Sequence, residues 1–179
     1  MKEITREEWK QVEQQFWDDY FQHVSAEELF WTVDALNWDS GIELANRLLD
    51  YPHVDQATVL LLYWKSAPAF SKQYLNREEV LADVSWYVDN FDWIERLEQQ
   101  FLAGFWQNQQ LAFGFFGEYG GENWVKHSTS SDMKREIPSI MKQSLQGIVS
   151  EMDIYEFDPE DIINRWFSLH EDYRIALGA

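Results

Sequence analysis

Catalysis and tight ligation need groups that can bind a metal, attack a bond or carry a proton, so the histidines, carboxylates and glycine-rich stretches come first. His23, His53, His127 and His170 show none of the spacings with which a helix sets two ligands on one metal. Cysteine is absent, which removes thiolate ligands, Cys nucleophiles and disulfides. His127 and Ser128 are adjacent, but adjacency in sequence does not aim a base at a hydroxyl. A divalent-cation site made of carboxylates stays open as an alternative, because the chain has 32 Asp and Glu to draw on.

Gly114, Gly117, Gly120 and Gly121 have the density of a phosphate-binding loop. No Gly-Lys-Ser/Thr ending follows them, no strand pattern precedes them, and Glu118 and Glu122 would repel a phosphate. Glu118 and Glu122 with Trp124 also have the composition of a sugar site. A glycosidase needs two rigidly held carboxyls of separated pKa, which a glycine-rich stretch does not supply. No catalytic residue and no cofactor are therefore expected. The stretch offers acidic and aromatic surface instead, and Glu118, Tyr119, Glu122 and Trp124 are expected to contact a partner. From Glu151 to Asp161 there are six acids and no base. Asp153, Glu156, Asp158, Glu160 and Asp161 are expected to form a second contact patch.

The bulk charge says what that partner can be. Against 32 acids stand 14 bases, a net charge of −18, so nucleic acid and anionic membrane are repelled and a basic protein is the natural partner. The same charge also serves to keep an aromatic-rich chain in solution. Aromatic residues make up 17% of the chain, more than one core needs, so some are expected at an interface, with self-association as an alternative use. The longest apolar run, Val59 to Trp64, is far short of the roughly 20 residues that span a bilayer. Met1 to Glu8 has no apolar stretch of signal type, and the expected address is cytoplasmic.

Positioning these groups falls to helices. Thr5 with Glu8 and Ser25 with Glu28 are capping boxes, in which hydroxyl and carboxylate each meet a backbone N–H at a helix start. The first predicts a helix to about Gln22 with Trp9, Val12, Phe16 and Tyr20 on its buried face. The second predicts a helix with Leu29, Phe30, Val33 and Leu36 turned inward. A third, capped by Asp39 or Ser40 and buried through Ile42, Ala45, Leu48 and Leu49, ends at Pro52. Asp55 opens a fourth that is apolar nearly all round. Asn76 caps a fifth running through Val88, Asp92 starts a sixth, and Pro138 starts a seventh carrying Ile140, Met141, Leu145, Ile148 and Met152. Asp158-Pro159-Glu160-Asp161 starts the last, with Ile162, Ile163, Trp166 and Phe167. Between Leu111 and Ser131 the helical period is lost, which predicts a long loop with room for a short hairpin. The expected fold is all-α, one domain over 1–179 of about eight helices.

Asn37-Trp38-Asp39-Ser40-Gly41 is richer than a plain connection, and Asn37, Trp38, Asp39 and Gly41 are read as a structural turn. The run from Asp34 to Glu43, followed by Leu48-Leu49-Asp50-Tyr51-Pro52-His53-Val54-Asp55-Gln56-Ala57-Thr58, resembles a bacterial domain family of unknown function, number four-two-seven-four. Members resemble one another in an Asn-Trp-Asp-Asp-Gly turn and a Cys-Asp-x-x-Thr-Ala helix start. Here Ser40 replaces the second acid and Val54 the cysteine. The resemblance covers about residues 29–106, leaving 132–179 as a helical extension. It implies no catalytic residue. It does imply an immunity-type role, in which a small acidic protein binds a cognate, basic bacterial toxin and occludes its active site. The competing expectations are a carboxylate-based, metal-dependent enzyme and a self-associating scaffold that forms homodimers.

Overall fold

The computed structural model describes residues 5–114, 132–150, 158 and 160–177. Among these, eight α-helices follow in order: α1 Arg6–His23, α2 Ala26–Asp34, α3 Trp38–Leu48, α4 Gln56–Lys65, α5 Pro68–Ser71, α6 Arg77–Asp83, α7 Val88–Leu102 and α8 Asp161–Leu177. Strand pairing is confined, among the described residues, to two isolated bridges, so the fold is all-α. The chain forms two compact units, one from Met1–Arg47 with Met152–Ala179, the other from Leu48–Glu151.

In the first unit both capping boxes are present: Glu8 and Glu28 each return a carboxylate to the backbone N–H of the capping hydroxyl residue. The buried face of α1 differs from the expected stripe. Trp9 and Trp17, eight residues apart and so on one face, are buried, while Val12 is exposed. The reason is aromatic packing: Trp17 lies 5.1 Å from Trp166 of α8, and Phe16 5.5 Å from the same ring, so α1 turns its tryptophans inward. The expected cap at Asp39 or Ser40 is also corrected. Helix α3 begins at Trp38, so Trp38 to Gly41 form its first turn, and their side chains lie outside the described residues. Asn37, itself a favoured residue ahead of a helix, stands just before it. Ile42, expected inside, is exposed, while Leu44 and Ala45 are buried.

In the second unit α4 is buried along eight consecutive residues, Ala57 to Trp64, as its all-round apolar sequence predicts. Asp55 caps it and does more. Its buried carboxylate accepts from Ala57 N at 2.9 Å and, across 55 residues of sequence, from Gln110 N at 2.6 Å and Leu111 N at 3.4 Å. Burial pushes this carboxyl above its usual value, against the three backbone N–H groups that favour the charge.

The expected helix from Pro138 to Met152 is not present as such. Ser139–Lys142 make one 3₁₀ turn, then Gln143 turns extended. Leu111, Ala112 and Phe113 are buried, and their backbone groups must be paired. They pair with residues 145–148: Phe113 N donates to Leu145 O at 3.0 Å, Leu145 N to Phe113 O at 2.9 Å, and Ala112 N to Ile148 O at 2.8 Å. Gly147 permits this approach, since a Cβ there would collide with the Gln110 carbonyl. The pairing is thus long-range, and of the 111–131 loop expected to have room for a short hairpin, residues 115–131 lie outside the described residues. The expected fifth helix also ends early, at Asp83. Ser85–Tyr87 form a 3₁₀ turn, and Val88 already belongs to α7.

A charge network, buried at Lys72 and Glu98 and part-buried at Glu95 and Arg135, joins α5, α7 and the segment around Arg135. Ala67, before Pro68, adopts a left-handed conformation that an alanine rarely takes, and the short α5 that follows delivers Lys72 into the interior. Lys72 Nζ donates to Glu98 Oε2 at 2.6 Å and Glu95 Oε1 at 3.0 Å. Arg135 forks onto Glu95, with Nη1 to Oε2 at 2.9 Å and Nη2 to Oε1 at 2.8 Å, while its Nε donates to Tyr74 O and its plane lies 5.2 Å from the Phe91 centroid. The Tyr63 hydroxyl completes the set on Glu98 Oε1. Burial and the Glu98 charge push that hydroxyl far up, so it stays a neutral donor.

Two outcomes follow. Lys72→Met strands two carboxylates on one guanidinium and should lower unfolding stability by about 3–5 kcal/mol in urea titration, with Glu98→Gln in the same chain restoring part of it; a loss under about 1 kcal/mol would refute the network's weight. Burial raises the Glu95 carboxyl, but the hydrogen bonds and charges of Arg135 and Lys72 outweigh it and hold it below the usual range. A folded value below the unfolded one adds stability above the ordinary carboxylate pKa, and that stability is lost as pH falls through the lowered value. The melting temperature should therefore drop on acidification below about pH 4, and Glu95→Gln should flatten that limb.

Candidate interaction surface

On the first unit, α1, α2 and the start of α8 enclose a groove of about 430 Å³. Asp19, Tyr20 and His23 come from the end of α1, Glu28 and Thr32 from α2, and Asp158, Asp161, Ile162 and Arg165 from α8 and its approach. Local rules explain part of this acidity. Glu28 is the third residue of α2 and closes its capping box, the Asp158 carboxylate accepts from Glu160 N at 2.9 Å, and Asp161 sits in the first turn of α8. All three complement the positive end of a helix. Asp19 has no such reason, since it lies toward the C-terminal end of α1, where the helix dipole disfavours an acid.

Four carboxylates thus face one guanidinium, Arg165, which lies 3.6 Å from Asp161 and stacks 5.8 Å from the Phe16 centroid. His23 Nδ1 is 3.4 Å from Asp19 Oδ1 and closer, 2.7 Å, to the Asp19 carbonyl. Besides the acids, Tyr20, Val24 and Ile162 give the lining some apolar surface. Burial raises the Tyr20 hydroxyl to about 12, against a hydrogen bond with Thr32, so it stays protonated.

A smaller groove of about 210 Å³ shares Thr32 and is lined by Ala35, Leu36, Asn37, Glu160, Ile163, Asn164 and Phe167. Phe167, expected in the core, is about half exposed at 48%. The structure therefore brings Asp158 and Asp161 into one groove and Glu160 with Asn37 into the next. Glu118, Tyr119, Glu122, Trp124, Asp153 and Glu156 lie outside the described residues. Sequence reasoning missed Asp19, Tyr20, His23, Glu28 and Arg165. For Glu28 the capping role absorbed the signal. For Asp19 and His23 the four-residue spacing on one helix was the available clue.

Among the described residues no three His, Asp or Glu converge as metal ligands would, and no helix is long and apolar enough to cross a membrane. Residues 25–102 match the family model described as Domain of unknown function (DUF4274). The DUF4274 segment starts on Ser25, the cap of α2, and ends on Leu102, the last residue of α7. It therefore contributes Glu28 and Thr32 to the acidic groove, while the α1 and α8 walls lie beyond it. No curated protein and no solved structure matches the chain.

Cap and charge separate cleanly at Glu28. Gln serves equally at the third helical position of a capping box. Glu28→Gln should leave urea-unfolding stability within about 0.5 kcal/mol of the parent, whereas Glu28→Ala, which loses the bond to Ser25 N, should cost about 1 kcal/mol.

Proposed function

We propose that the protein is an immunity-type partner that captures a basic protein of the toxin class and covers its active cleft, acting in the bacterial cytoplasm. The observation that carries this reading is the groove of the first unit: four carboxylates and one guanidinium lining it together with Tyr20, Val24 and Ile162, on a chain of net charge −18. Charge of that sign steers a cationic partner and raises its rate of encounter, while apolar surface beside it supplies contacts that hold. The adjoining groove with its exposed Phe167 offers such surface. The resemblance to a bacterial domain family of unknown function, from which an immunity-type role is expected for a small acidic protein, is in keeping with the same reading. The cleft of a nuclease, cationic because it binds phosphates, is the kind of surface that complements such a groove.

Coexpression with the product of the neighbouring gene tests this. The expected result is rescue of growth and a copurifying complex, and neither rescue nor complex would refute the reading. Neutralising the three exposed acids that close no capping box, Asp19→Asn with Asp158→Asn and Asp161→Asn, should slow association several-fold at low salt. The difference should vanish by about 0.5 M salt, where screening is short-ranged.

A further inference from the structure

The second unit carries an exposed aromatic, Trp86, that meets the edge of the Tyr87 ring at 5.7 Å and otherwise stands clear of the core. Trp86 is 75% exposed, beyond every other large hydrophobic side chain among the described residues, while Tyr87 beside it is buried with its ring 4.6 Å from Phe70. The backbone enforces this division. Val84 leaves the helical region at the end of α6, and the 3₁₀ turn Ser85–Tyr87 is pinned by Val84 N to Val80 O at 2.8 Å and Tyr87 N to Val84 O at 2.8 Å. With Tyr87 locked inside, its neighbour is held outside on a fixed support. An aromatic presented this way loses little conformational freedom when covered, which is what makes Trp an effective anchor. Leu81 and Ala82, on the last turns of α6, are exposed as well.

The surroundings say what covers it. From Glu78 to Glu95 the chain has six acids and no base. Glu79 pairs with Lys134 and Asp92 with Arg77. Glu78 and Asp89 are exposed and share the field of that same Arg77, already paired with Asp92, while the exposed Asp83 accepts from the Tyr74 hydroxyl, so acids outnumber cations on this face. A second copy of the chain would bring the same acids against these, since a two-fold contact opposes like patches. A cationic partner meets both demands: Lys or Arg can lie on the indole face while neighbouring cations pair with the carboxylates.

We propose that Trp86, framed by Glu78, Asp83 and Asp89, is an anchoring surface for a basic protein, with Lys or Arg of the partner seated on the indole. It rests on the reading that the partner is a basic protein and names a contact on the second unit that the groove does not supply.

The test is calorimetric titration of the neighbouring gene's product into the parent protein, Trp86→Ala and Trp86→Phe, with melting temperatures and light scattering alongside. Trp86→Ala is expected to bind at least about tenfold more weakly at an unchanged melting temperature, with Trp86→Phe in between. A parent complex with undiminished affinity in Trp86→Ala overturns the anchoring surface and leaves the basic-partner reading standing. No complex with the parent overturns both. A parent dimer that Trp86→Ala converts to monomer assigns the surface to a second copy and overturns the proposal in that direction.

Discussion

Two carboxylates on α7, the buried Glu98 and the part-buried Glu95, set the terms for the second unit. A carboxylate in a low-dielectric interior is costly unless a cation and hydrogen bonds meet it, so wherever α7 packs, Lys72 and Arg135 must arrive with it. They come from different parts of the chain, one at the end of α5 and one on the return toward residue 138. Their charges cancel those of the two acids, and Tyr63 on α4 supplies a further donor. The backbone follows: Lys134 N and Arg135 N both donate to the Lys72 carbonyl, at 2.8 and 3.1 Å. Satisfying one charge therefore fixes the arrangement of α4, α5, α7 and residues 134–135 together.

The same accounting of polar groups governs the rest of that unit. The chain leaving α7 carries its backbone into the interior between Leu111 and Phe113, and each exposed N–H or C=O there needs a partner. Asp55 meets Gln110 and Leu111 from the start of α4, Gln56 N meets Asn108 O at 2.9 Å, and residues 145–148 meet the remainder. A sequence that looks helical between 139 and 150 gives up its internal hydrogen bonds to do this. The collision that any Cβ at Gly147 would suffer marks where the two segments come closest.

In the first unit, acids satisfy structure and leave a residue of charge over. Glu28, Asp158 and Asp161 stand at helix beginnings, where carboxylates are favoured locally, and their convergence makes a groove more negative than any one cap requires. Asp19, with no capping task, adds to it. A DUF4274 segment that supplies only α2 to this groove, with α1 and α8 from outside the match, places the acidity on the junction between family-matched and unmatched sequence.

What the sequence determined by itself is what local chemistry determines. Thr5 with Glu8, Ser25 with Glu28, Asn76, and the Asp158 to Asp161 run marked helix starts that the structure has, because a cap is a bond between residues two or three apart. The apolar circumference of Val59 to Trp64 marked the most buried helix, and the all-α class followed. Only tertiary structure decided which aromatics of α1 face inward, since Trp17 is chosen by Trp166 and not by its own neighbours. Only it converted 143–148 from helix to pairing partner, brought Asp19, Glu28 and Asp161 around one groove, and buried Lys72. Glu98 had left a trace in sequence: with Phe91, Ile94 and Phe101 it keeps the spacing of a buried stripe, and an acid on such a stripe demands a cation. Which cation answers is a matter of contact across 26 residues, and no local pattern encodes that.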